Sequence, residues 1–250
     1  MGNKSDSFRA QRSTELHWLC RILDQHQVFA DSSPLYVAAE RCRTEKPDGD
    51  PAKWGYSLTN LLFHRVGSRK HVRPPGAKGL VVALSIRMAG SCDVEERDGD
   101  PLSRLEVNFE IHGVLSETRL LATWHLDRHQ LAPGDNPSEE GVHPLYHFHF
   151  GGRKTWDEYD AGNLSFGSAL FLDPPRLPHP PLDAVLGIDF LLSNFDWTTW
   201  NKLIQVGEYR NIVRQYQERF WLPYAQACAT WPVRGDQQWS AKALWPQIDP

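Results

Sequence analysis

The spacing of apolar positions changes twice along the chain, dividing it into three parts. In the first, Leu16, Leu19, Cys20, Ile22 and Leu23 fall on one face at helical spacing, which predicts a helix over residues 13–29 capped by Ser13 or Thr14. Ser33-Pro34 reads as a second helix start, with proline at the first helical position and Leu35, Ala38, Ala39 and Cys42 as its buried stripe. The Asp48-Gly-Asp-Pro51 turn ends it, and the apolar run at 54–66 predicts a third helix. Residues 1–12 are polar and read as a flexible tail.

The middle of the chain alternates instead. Residues 79–88 form an apolar run suited to a buried strand. Leu105, Val107, Phe109 and Ile111 oppose Glu106, Asn108, Glu110 and His112, after which Gly113 is expected to turn the chain. Residues 119–127 alternate again, which is the pattern of an antiparallel hairpin with one dry face. After a polar insert at 130–142 comes His143-Pro-Leu-Tyr-His147-Phe-His149-Phe150. As a strand it places His147 and His149 on one face and Tyr146, Phe148 and Phe150 on the inward one. A short strand is expected at 166–172.

The third part is helical again. The proline-dense stretch 173–181 excludes helix and central strand. Residues 182–195 read as a buried helix, and Asp196 can cap the next, with Trp197, Trp200, Leu203 and Ile204 inward. Tyr209, Ile212, Val213, Tyr216 and Phe220 mark a further helix over 208–222. The sequence therefore predicts an α+β domain over 13–250: a helical N-terminal part (13–77), a central antiparallel β-meander (78–172) and a helical C-terminal part (173–250).

Composition narrows the partners. With 250 residues, 10 tryptophans and a net charge of −4, there is ample core material and no global attraction to nucleic acid or anionic membrane. No run approaches the roughly 18 apolar residues of a membrane span, so no membrane partner is expected. The start carries no apolar signal core, and the four cysteines are scattered without a C-x-x-C pair, which fits reduced thiols in a cytoplasm.

Six of the 11 histidines lie between 112 and 149. An H-x-H step on a strand puts two imidazoles on one side, and imidazoles with carboxylates are the donors of zinc, iron and manganese sites. His125, His147, His149 and Glu110 are the candidate metal ligands, with zinc the expected ion, and His125, Asp127 and His179 the candidate catalytic groups. Against this stands the plain role of such residues as the solvated face of a sheet; no HExxH, G-x-S-x-G, Walker A or G-x-G-x-x-G motif is present. Arg65, Arg69, Lys70 and Arg73 lie in a stretch without acids, a candidate surface for a partner or for phosphate.

Val185-Leu186-Gly-Ile188-Asp-Phe-Leu191-Leu192, following a meander and a proline-rich crossing, resembles the helix after the active-site loop of the ubiquitin-conjugating (UBC/RWD-like) family, one residue short of its pattern. His143-Pro144-Leu145 shares two residues of that family's His-Pro-Asn motif. No cysteine lies between Cys92 and Cys228, so thioester transfer at the family's usual place is impossible. The resemblance implies a non-catalytic, partner-binding module. Three functions are thus expected: first a protein-binding subunit of a multi-protein system, then a metal-dependent hydrolase using the histidines, and third a nucleic-acid-binding accessory protein.

Overall fold

A computed structural model describes residues 4–64, 66, 74–93, 100–129, 143–151, 153–164, 176–229, 239 and 241–245. Two helices come first, α1 (Lys4–Gln25) and α2 (Ser33–Thr44). Six strands follow: β1 (Lys53–Phe63), β2 (Lys78–Ser91), β3 (Arg104–Leu115), β4 (Thr118–Arg128), β5 (Tyr146–Phe150) and, after the short helix α3 (Arg153–Asp160), β6 (Leu177–Pro178). They form one antiparallel sheet in sequence order. Helices α4 (Ala184–Phe195), α5 (Trp197–Leu203), α6 (Gly207–Tyr216), α7 (Leu222–Ala229) and α8 (Ala241–Leu244) complete an α+β fold. A π-helical stretch, Gln217–Trp221, joins α6 to α7.

The expected stripes of α1 and α2 are buried. Residues 4–12, however, are not a tail but the first turns of α1. Arg9 is fully buried, its Nη1 donating to Pro51 O (2.8 Å) and Lys53 O (2.9 Å). Those two carbonyls, with the Asp6 carboxylate that pairs with Nη2, give an otherwise costly buried charge its partners.

The third N-terminal helix is also corrected: 53–63 is strand β1. Trp54, Tyr56 and Leu58 face inward, then Leu61 and Phe63, because a bulge between Leu58 and Leu61 skips a step. Asn60 takes a positive φ of 51° there. Gly113 stays inside β3, where a Cβ would lie 2.7 Å from Leu80 Cδ2; the turn falls at Ser116 instead, with φ 54°. The strand expected at 166–172 lies outside the described residues.

One face of the sheet is dry. In register across it run Ile86, Val107, Leu126 and Phe148, with Leu84, Phe109 and Trp124 beside them. Helix α4 covers this face, Phe190 meeting Phe109 at 5.3 Å and Phe148 at 5.8 Å, and Phe195 stacking on Trp124 at 5.7 Å. Asp183 caps α4 by accepting from Leu186 N (2.9 Å), and Tyr56 OH donates to its other oxygen at 3.4 Å. Burial pushes the Asp183 carboxyl up to about 7.

Of the aromatic side of β5, Tyr146 is buried and Phe148 half-buried, but Phe150 is 48% exposed. Trp197 also departs from expectation: it lies 62% exposed on α5, paired with Trp200 at 4.9 Å between centroids.

Candidate metal centre

The opposite face of β3, β4 and β5 carries Glu106, Asn108, Glu110, His112, Thr123, His125, Asp127, His147 and His149. At one end α3 closes over it: Thr123 Oγ1 donates to Gly151 O and lies 2.8 Å from Thr155 Oγ1, and Arg119 pairs with Glu158. The other end holds the histidines.

Strand register creates the site. His125 lies directly opposite His149 and Asp127 opposite His147, and neighbouring side chains across antiparallel strands stand about 5 Å apart at Cβ. The His125 and His149 rings approach edge to face at 3.7 Å. Both turn Nε2 toward the same oxygen, Asp127 Oδ2, at 3.6 and 3.7 Å. Among the described residues this is the one group of three whose ligand atoms all lie within 4.8 Å of one another.

Those separations are too long for hydrogen bonds. Two donors each about 2.1 Å from a tetrahedral ion would stand about 3.4 Å apart, so the gap matches a zinc-sized occupant. The side chains are shielded but reachable, at 15%, 13% and 31% exposure for His125, His149 and Asp127.

Protonation favours the same use. Burial is the largest influence on His125 and lowers its pKa below the ordinary histidine value, Asp127 opposing and His149 reinforcing. At neutral pH the ring therefore offers a lone pair.

The other expected site residues separate. His147 is buried, and burial lowers its pKa to about 4. Its Nδ1 donates to Pro144 O at 3.1 Å, which fixes the tautomer with Nε2 as acceptor. Its ring lies 5.5 Å from that of His149, outside the three-residue group. Glu110 pairs with His112 at 3.3 Å instead of joining the centre. His179 stands apart, against Phe148 and Phe190, its Nδ1 donating to Pro180 O. Arg65, Arg69, Lys70 and Arg73 lie outside the described residues.

Asp127, expected as a catalytic group, is the carboxylate that both imidazoles face. The sequence signal was present as H-x-D on one strand and H-x-H on the next, but which histidine meets which carboxylate depends on register. A second feature carried no such signal: a cavity of about 470 Å³ between α4, α5 and α6, with Asp189 Oδ1 accepting from Trp200 Nε1 and Tyr209 OH.

No described helix is long and apolar enough to cross a membrane. Comparison with known proteins returns no matching family model, no matching curated protein and no matching solved structure, so the donor geometry of this face is what a functional reading has to start from.

Proposed function

We propose that this protein is a metal-dependent hydrolase that binds a divalent transition-metal ion, zinc by preference, through His125, Asp127 and His149. One observation carries the reading: two imidazole Nε2 atoms face one carboxylate oxygen at 3.6 and 3.7 Å, the spacing of ligands around an ion. Three protein ligands leave a fourth position open, and an ion there supplies Lewis-acid polarisation and a bound water of near-neutral pKa. The chain itself contributes a rigid two-strand frame and a neutral neighbouring acceptor in His147.

The test is elemental analysis and zinc titration of protein purified without a histidine tag. At least one ion per chain, with one fewer in H149A, supports the reading; no bound transition metal and none taken up ends it. A panel of ester, amide and phosphodiester substrates then tests the hydrolase assignment. Turnover should vanish with a chelator and in H125A, and turnover indifferent to both would overturn the assignment.

A protein-binding subunit is the second reading, favoured by Trp197, a large aromatic side chain 62% exposed on α5. A pull-down with wild-type protein and W197A tests it: a partner captured equally by both, or by neither, removes Trp197 as support.

A further inference from the structure

The histidine row does not stop at His149. From it the rings continue to His147 at 5.5 Å, from there to His143 at 5.8 Å, and from His143 to His129 at 4.5 Å. His129 and His147 close a triangle at 6.4 Å. The metal reading above uses only the first end of this row. We propose that the other end, His129, His143 and His147, holds a second transition-metal ion, making the face a two-ion centre; this rests on the reading that the first site binds metal.

Three observations support it independently of the first site. The first is size. An imidazole centroid lies about 3.2 Å from an ion bound through one of its nitrogens, so three imidazoles around a tetrahedral ion stand about 5 Å apart. The distances of 4.5, 5.8 and 6.4 Å bracket that value. Unlike those of the first site, the ligand atoms of His129, His143 and His147 do not all lie within 4.8 Å of one another, so loading requires the three side chains to turn inward.

The second is the outer hydrogen bond of His147. Metal-ligating histidines characteristically donate their other N–H to a carbonyl or carboxylate, which fixes tautomer and ring direction. His147 Nδ1 does this to Pro144 O.

The third is the frame. His129 N donates to Leu145 O at 2.7 Å, tying the end of β4 to the segment that carries His143 into β5. Leu145 N in turn donates to Ala243 O at 2.7 Å, so α8 braces that segment from behind.

The donor set also says which ions fit. An all-imidazole set suits zinc, copper or nickel and disfavours magnesium and calcium, which take oxygen ligands. Asp127 lies opposite His147 in register, and its Oδ2 faces the His125 and His149 end of the row.

Counting zinc ions decides it. Untagged protein, stripped with chelator and reloaded with zinc(II), is analysed for bound metal per chain by elemental analysis and by native mass spectrometry. Two ions per chain are expected, falling to one in H129A/H143A and to one in H125A/H149A. Because His143 is partly packed, H129Q is measured in parallel with circular dichroism to keep loss of metal separate from loss of fold. A wild-type count of one that H125A/H149A abolishes and H129A/H143A leaves untouched overturns the second site while the first stands. A count of zero removes both. A count of two unchanged in both H129A/H143A and H129Q places the second ion elsewhere and overturns the assignment.

Discussion

On β3, β4 and β5 alternate residues face two very different surroundings. Phe109 and Trp124 meet α4 through Phe190 and Phe195, with Val107 and Leu126 in the same buried core, whereas Asn108, His125, Asp127 and His149 face the histidine row. The strands, the register and the period are shared, so the difference lies wholly in side-chain chemistry. On the dry side the contacts are many and unspecific, and stability comes from volume filled. On the other side few atoms matter, and what counts is where two nitrogens and one oxygen are held. A substitution on one face should thus be read in stability, and on the other in binding.

The largest effect should come from breaking the dry side. Phe109→Ala removes a fully buried ring that packs on Phe190. It should cost about 3–5 kcal/mol, read as a lowered midpoint in urea unfolding, with zinc stoichiometry in the remaining folded protein unchanged.

Asp183 sharpens the same contrast, because it places a titrating group inside the dry layer. Its folded pKa of about 7 lies above the ordinary carboxyl value of 3.8, so the folded state holds the proton more tightly than the unfolded chain. Stability should therefore fall as pH rises from about 4 to about 7, by at most about 4 kcal/mol for a shift of this size. Asp183→Asn keeps an effective N-cap and removes the ionisation, so its unfolding free energy should be flatter over that window. Equal slopes in the two proteins would contradict the assignment.

Thr123 tests whether the division between faces is absolute. It sits on the histidine side but is buried under α3, bonded to Gly151 O and Thr155. Thr123→Val should behave like a core lesion and cost about 1–3 kcal/mol, since it strands a buried carbonyl and hydroxyl.

The smallest stability effect belongs to the centre itself. His149→Ala should change metal-free stability by no more than about 1 kcal/mol. It should, however, remove the first ion's share of the zinc-dependent rise in melting temperature, which at a hundredfold excess over that site's Kd corresponds to about 2.7 kcal/mol.

Much of the architecture was legible in the sequence where a single period governs a whole element. The stripes of α1 and α2 and the alternation of β3 repeat without interruption; α2 and β3 begin where expected, and α1 covers residues 13–25 of the expected 13–29 while starting earlier, at Lys4. In β1 the bulge at Asn60 shifts the inward residues from Trp54 and Leu58 to Leu61, an i, i+4, i+7 spacing that imitates a helix. The first turns of α1 were hidden for another reason: Arg9 and Arg12 look like surface charge, and besides its neighbour Asp6 the partners of the buried Arg9 are the carbonyls of Pro51 and Lys53, some forty residues away. At the candidate centre the residue types were readable and their pairing was not. Strand alternation assigns a face to His125, Asp127, His147 and His149, but the polar sequence at 130–142 gives no register, and register is what sets His125 against His149.

Glu15, half-way along α1, is buried among Arg12, Arg219 and the hydroxyl of Tyr216, which donates to it at 2.9 Å across 201 residues of chain. During synthesis Arg12 is present from the start, but Tyr216 is made 201 residues after Glu15 and Arg219 shortly after that. At translation rates of about 5–20 residues per second, that is a wait of roughly 10–40 s. Throughout it the nascent α1 has no α6 to pack against. The molecule is thus closed late, by its C-terminal helices, and a ribosome stalled before residue 216 would leave a sheet already made and a first helix still unsealed.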